Sequence, residues 1–265
     1  FNSWLLVLEE CPLANLNVYI DGPTLVKYKM DKAPDATKKE EYYQLLLRVY
    51  DMRIKYFGDH RRYPASYVKG LKAIEMLTFK RDELPVIKDA YQLLGEAVEG
   101  LGRKTRIDMV AAYMQSSLNL FRASAIEPTQ FIKDYTLISD IVDFQLKEKP
   151  GNANIEQVKA MVETNFANSG AADCKTIETI FAPQLEDNKF DLAWLKRVSG
   201  LLAKAQCDET DLLYKVSEYQ HTIEPSAASA YGLARMYLKG DDPQKALSYY
   251  DEAISLSDDQ EQKGT

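Results

Sequence analysis

The sequence has little of what most site chemistry needs. Two histidines, at positions 60 and 221, and three cysteines, at 11, 174 and 207, are scattered through 265 residues. A tetrahedral zinc site draws on close pairs of such ligands so that they converge, so no structural metal is expected. Apolar runs are short, of the kind Trp4 to Leu8 and Leu45 to Leu47, against the ~20 mainly apolar residues of a membrane-spanning helix. Basic excess is missing as well: 33 Lys and Arg face 40 Asp and Glu, a net charge of −7, so a nucleic acid backbone would meet a repulsive field. Phosphate-cradling loops are absent, because Gly100-Leu101-Gly102 follows no strand-like segment. Adjacent acids such as Glu9-Glu10, Glu40-Glu41 and Asp241-Asp242 point to different sides of a helix or sit in turns, and give no general acid and base pair. His60, in a loop-like stretch, and His221, near an expected helix end, are separated by several expected helical hairpins, so they are not expected to meet in a nucleophilic site and read as exposed or capping residues. These gaps point away from an enzyme, a cofactor and a metal.

What is present is helical spacing. Apolar residues recur at three and four residue intervals, as in Tyr42, Leu45, Leu46, Val49, Met52, Ile54, Tyr56 and in Phe131, Ile132, Tyr135, Ile138, Ile141, Val142, Leu146. No segment alternates apolar and polar for long, so strands are not expected. A 46% hydrophobic and 28% charged composition excludes disorder and a disulfide-dense miniprotein. Breakers at Pro12, Pro34, Gly58 to Pro64, Pro85, Gly100 to Gly102, Pro128, Pro150-Gly151, Gly170, Pro183 to Asn188, Cys207-Asp208, Pro225 and Asp241 to Pro243 divide the chain into about 13 helices of usual length. No Pro- or Ser-rich linker separates two globules, so one all-α body is expected over 1–265, with a bend near 148–152. The acidic stretch Asp258-Asp259-Gln260-Glu261 reads as a tail.

Near the C-terminus, Leu233, Ala234 and Tyr237 are followed by Ala246, Tyr250 and Ala253. This order resembles the tetratricopeptide repeat, with Leu-Gly-x2-Tyr on its first helix and Ala-x3-Phe-x2-Ala on its second. The Trp slot of that pattern holds Ala230, and the terminal Pro is replaced around Asp258. Weaker echoes lie at Leu195, Val198, Ser199 and Leu202, at Ala90, Leu94 and Ala97, and at Trp4, Val7 and Pro12. The resemblance implies an α-α superhelix of six to seven hairpins. First helices are expected near 226–239, 189–205, 153–168, 104–123, 64–79 and 16–30, with partners near 243–256, 209–222, 172–185, 129–147, 84–100 and 36–57. Residues 1–11 read as the second helix of a truncated repeat, an expectation that the repeats continue N-terminally; Phe1 to Leu8 do not form an intact signal peptide. Most of the seventeen tyrosines, including Tyr50, Tyr56, Tyr113, Tyr135, Tyr237 and Tyr250, read as packing between hairpins.

In that arrangement Cys174 opens a second helix and Cys207 closes the following first helix, one repeat apart on one edge of the stack. They are the candidate disulfide, the alternative being two unpaired, half-buried thiols; a bridge requires Cα atoms within about 7 Å and implies an oxidising compartment. Cys11 falls on the opposite edge. Tyr231, Arg235 and Lys239 lie one turn apart, off the core set of the last first helix, and Lys196 and Lys204 hold the matching offset in the repeat before it. On the concave face these five would form a basic patch that attracts an acidic segment of a protein or peptide; the alternative is a solvated face. Gly232 and Arg235 stand where the two Asn of a chaperone-binding carboxylate clamp would be needed, which disfavours that partner. The expected function is a non-enzymatic protein- or peptide-binding scaffold. A structural component of a bacterial envelope assembly and a helical enzyme domain are the alternatives. Similarity to bacterial cell-envelope tetratricopeptide proteins and the candidate bridge favour a periplasmic or envelope location over a cytoplasmic one.

Overall fold

A computed structural model describes residues 1–171 and 173–263, with side chains as far as Ser257. Every regular element among the described residues is helical, and no strand occurs among them. The helices are α1 Asn2–Glu10, α2 Asn17–Asp31, α3 Ala36–Phe57, α4 Ala65–Lys80, α5 Leu84–Leu101, α6 Ile107–Arg122, α7 Pro128–Glu148 and α8 Ala153–Ala167. They continue with α9 Cys174–Phe181, α10 Leu185–Asn188, α11 Leu192–Lys204, α12 Asp211–Ile223, α13 Ala227–Lys239 and α14 Pro243–Lys263. None is long and apolar enough to cross a membrane. The tail-like stretch 258–261 continues α14 in its backbone, and its side chains lie outside the described residues.

Local chemistry sets most boundaries. Asp35, Asp173, Asp191 and Thr210 each accept a hydrogen bond from the backbone N–H three residues on, satisfying a donor that a helix start leaves bare. Ser226 and Ser229 form a reciprocal capping box at the start of α13. Pro85 and Pro128 occupy first turns, where their missing N–H costs nothing. Pro183 acts the other way. The helix expected over 172–185 is α9 followed by a 3-10 turn at Ala182–Gln184 and then α10, because a proline ring inside an α-helix clashes with the preceding turn.

The ends of α6, α11 and α13 share one construction. Ser124, Gln206 and Asp241 adopt φ of 55°, 57° and 60°. The next residue's N–H then bonds five residues back, Ala125 to the Leu120 carbonyl, Cys207 to that of Leu202 and Asp242 to that of Tyr237. This turn satisfies carbonyls that a helix end leaves bare, and here it is made without glycine at the left-handed position.

Packing divides the chain into two compact units, Phe1–Glu127 with Lys133–Asn165, and Pro128–Ile132 with Phe166–Thr265. The Pro150-Gly151 break separates α7 from α8 inside the first unit, whereas the division falls at Asn165 and Phe166. A backbone break interrupts a helix, but side-chain contact decides which residues belong together. Phe166, for example, stacks on Phe131 at 6.1 Å.

In the first unit each helix from α2 to α6 packs on the next, and α4 also meets α6. Leu8, Tyr19, Val26, Leu46, Val49, Tyr50 and Val68 make one buried cluster, each large side chain contributing about 1.5–3 kcal/mol by leaving water. Trp4 and Tyr19 pass their polar tips to the Val18 and Pro12 carbonyls at 2.8 Å each, so Tyr19 is buried and Trp4 half-buried without orphaning a donor.

The second unit runs α11, α12, α13, α14 in the same nearest-neighbour order. Leu195, Val198 and Leu202 of α11, Val216 of α12, Leu233 and Ala234 of α13 and Ala246 of α14 are buried. Gly232 sets the α12 to α13 approach, since a Cβ there would lie 2.0 Å from Ser217 Oγ and 2.7 Å from Ser217 Cβ. A Cβ on Gly200, within α11, would meet nothing within 4 Å. Gly200→Ala should therefore raise stability by about 0.5–1 kcal/mol, the usual cost of a mid-helix glycine. Gly232→Ala should lower it by about 1–3 kcal/mol despite the same gain in propensity, because the overpacked helices must separate. Urea denaturation of both variants checks the pair; equal signs would refute the account of Gly232.

Candidate functional site

α13 and α11 present the candidate cations, and the α11–α12 loop meets two of them. Arg235 Nη2 donates to Glu209 Oε1 at 3.1 Å. One turn on, Lys239 Nζ donates to the Glu209 carbonyl at 3.0 Å, approaches Asp211 at 3.8 Å and sits 5.3 Å from the Tyr214 ring centre. Lys196 Nζ pairs with Glu224 at 2.9 Å. Lys204 is exposed in the last turn of α11. Tyr231 is half exposed and meets the Tyr250 ring edge-on at 5.9 Å. Burial alone would lower the Arg235 pKa, but the Tyr231 and Tyr250 phenols and Glu209 raise it.

Arg235 therefore already holds a carboxylate of the chain's own, and Lys239 holds the backbone carbonyl of the same residue. Glu209 is largely exposed, and exposed pairs are worth only about 0.2–1 kcal/mol. An incoming carboxylate can displace such a partner at little cost, so the arrangement suits exchange of one acidic group for another.

The same loop begins at Cys207, which is buried and bonded to Cys174, with Cα atoms 5.4 Å apart. Asp173 caps α9 beside the bridge, and Thr210 caps α12 after it, so the segment carrying Glu209 is held at both ends. Cys11 is a free, exposed thiol.

His60 and His221 lie in different units. His60 Nδ1 accepts from the Tyr63 N–H at 3.1 Å, and its ring stacks on Tyr63, which is a turn contact. His221 is in a constellation that the sequence does not announce: Nδ1 lies 3.2 Å from Ser229 Oγ and Nε2 3.4 Å from Glu252 Oε1. The order serine, histidine, acid suggests a nucleophile, but its environment argues against it. Ser229 is 1% exposed, and its hydroxyl is engaged with the Ser226 carbonyl and N–H in the capping box. His221 and Glu252 thus extend a cap.

A second polar group invisible to motif reading is Asp134 of α7, 2% exposed. Its carboxylate accepts from Tyr91 at 2.8 Å, Tyr113 at 3.1 Å and Ser117 at 2.5 Å. Burial and the facing Asp134 charge push the Tyr113 phenol's pKa well above its ordinary value, so that hydroxyl keeps its proton and serves as a donor. The knot satisfies a buried charge and ties α5, α6 and α7 together in the first unit. Among the described residues no group of three His, Cys, Asp or Glu side chains converges as metal ligands would.

Comparison with known proteins finds no family model and no curated protein that matches the chain.

The bridge closes a segment of 33 residues, so its loss is expected to cost about 3–4 kcal/mol on the chain-entropy relation. Reducing the protein, or replacing both cysteines by serine, should lower the urea midpoint accordingly. Thiol titration of the unreduced, denatured chain should find one reactive group, Cys11, and three after reduction.

Proposed function

We propose that the chain is a non-enzymatic binding scaffold of tetratricopeptide-like hairpins stacked as an α-solenoid, which takes an acidic segment of a protein or peptide on α11 and α13. The observation that carries this reading is the Glu209 contact with Arg235 and Lys239, in which an acidic side chain and a backbone carbonyl of this chain occupy the positions that an acidic peptide would take. Two further facts support the repeat assignment. Helices α6, α11 and α13, each the first of an expected pair, end in the same left-handed turn. Small residues at Ala234 and Ala246 are buried between neighbouring helices, as the repeat requires of them. An envelope or periplasmic setting is favoured by the Cys174–Cys207 bond, since such bonds persist in oxidising compartments.

Binding of a labelled Asp- and Glu-rich peptide, followed by fluorescence anisotropy, tests the site. The triple change Lys196→Glu, Arg235→Glu and Lys239→Glu should weaken it by at least about tenfold. Glu209→Gln, which removes the internal competitor, should tighten it by about two- to fivefold, the equivalent of one exposed ion pair. Unchanged affinity in both variants would place the acidic segment elsewhere.

A further inference from the structure

On α3 the buried residues Tyr43, Leu46, Val49, Tyr50 and Arg53 follow helical spacing. Position 53 therefore falls on the core stripe, where an apolar side chain belongs. Arg53 is only 5% exposed. Its Nε is fully buried and has no hydrogen-bond partner, and among the described residues no carboxylate lies within ion-pairing distance of its guanidinium. Even partly exposed cations of the first unit have partners that Arg53 lacks. Lys27 is matched by Glu75 at 2.6 Å and Arg106 by Asp108 at 2.6 Å. A desolvated, uncompensated guanidinium is costly to keep, and burial accordingly lowers the Arg53 pKa while the nearby Tyr67, Tyr50 and Tyr63 phenols oppose the shift.

Arg53 lines a cleft of about 320 Å³ between α2, α3 and α4, within the ~300–1,000 Å³ usual for small-molecule sites. Ile20, Pro23 and Leu71 give it apolar wall, and Tyr63 and Tyr67 bring phenols. The Tyr67 hydroxyl accepts from Arg106 at 3.0 Å, which leaves its own proton to donate. Glu75 is occupied by Lys27 and by the Tyr50 hydroxyl, so it does not neutralise Arg53. The cleft thus carries one unmatched positive charge, a forked donor and adjoining phenol donors.

We propose that this cleft binds a carboxylate group, supplied by a small organic acid or by the C-terminus of a peptide, with Arg53 as its charge partner. A guanidinium matches the two oxygens of a carboxylate in one plane. A carboxylate's single charge balances one cation, whereas a phosphate dianion would bring a second negative charge close to Glu75. The site lies in the first unit and is independent of the α11 and α13 reading.

The test uses the full chain at neutral pH, with benzoate as the probe, benzamide as its uncharged match and inorganic phosphate as the competing anion. Benzoate should raise the Tm with increasing concentration, benzamide should not, and phosphate should do so less than benzoate. In Arg53→Met, which keeps an unbranched apolar stem but not the charged guanidinium, benzoate binding should weaken by at least about tenfold. A wild-type shift that is absent, or equal for benzamide, or equal for phosphate would overturn the proposal, and so would undiminished benzoate binding to the variant. Should that variant fail to fold, the three wild-type titrations decide alone. A dipeptide with a free C-terminus and its amide then identify the source: tighter binding of the free form than of benzoate supports a peptide end, and weaker binding supports a small acid.

Discussion

A helix with apolar residues on more than one flank cannot hide them from water alone. In both units the answer is the helix that follows: α2 to α6 and α11 to α14 each lean on the next in chain order. Much of the core therefore lies in seams between consecutive helices, joined in the first unit by the cluster that Leu8, Tyr19, Val26, Leu46, Val49, Tyr50 and Val68 make. Thin seams make the smallest residues decisive. Ala73, Ala90 and Ala97 are fully buried around the α4 and α5 seam, and Gly232 lets α13 approach Ser217 more closely than any side chain would allow.

Seams of this kind leave long stretches of helix surface in water, where Lys, Arg, Asp and Glu accumulate. Many described pairs cross from one helix to another, such as Lys72 to Asp51 at 2.6 Å, Lys159 to Asp143 at 3.0 Å and Lys69 to Glu96. Individually these add little stability. Against that background, Arg53 is the one Lys or Arg among the described residues that is buried.

Helix placement was legible because spacing and breakers agree: the expected helices at 36–57, 84–100 and 153–168 match α3, α5 and α8 to within a residue. Boundaries shifted where one residue's chemistry outweighed periodicity. Asp191 caps α11 and moves its start beyond Phe190, and Pro183 divides a helix that the apolar pattern alone would carry through. The division of the units was not legible, since it depends on which partner Phe131 and Phe166 find, and no turn residue marks it. Within the candidate patch, the sequence placed Arg235 and Lys239 one turn apart, but their pairing with Glu209 depends on how the α11–α12 loop folds back. Arg53 and Asp134 were passed over because both are charged residues inside apolar stripes, and reading for hydrophobic period discounts them. A charge on the buried phase of a helix is itself a signal, and in this chain one such charge is met by three hydroxyls and the other by none.

The bond between Cys174 and Cys207 also changes how the chain would respond to being pulled. Force applied at the two ends bypasses the 33-residue loop that the bridge encloses, so α9, α10 and α11 carry no load while the helices outside it unravel. The oxidised chain is shorter in full extension by about 110 Å, at roughly 3.4 Å per residue. A mechanical fuse is thereby built into the second unit: reducing agents release hidden length exactly where the Glu209 loop is anchored.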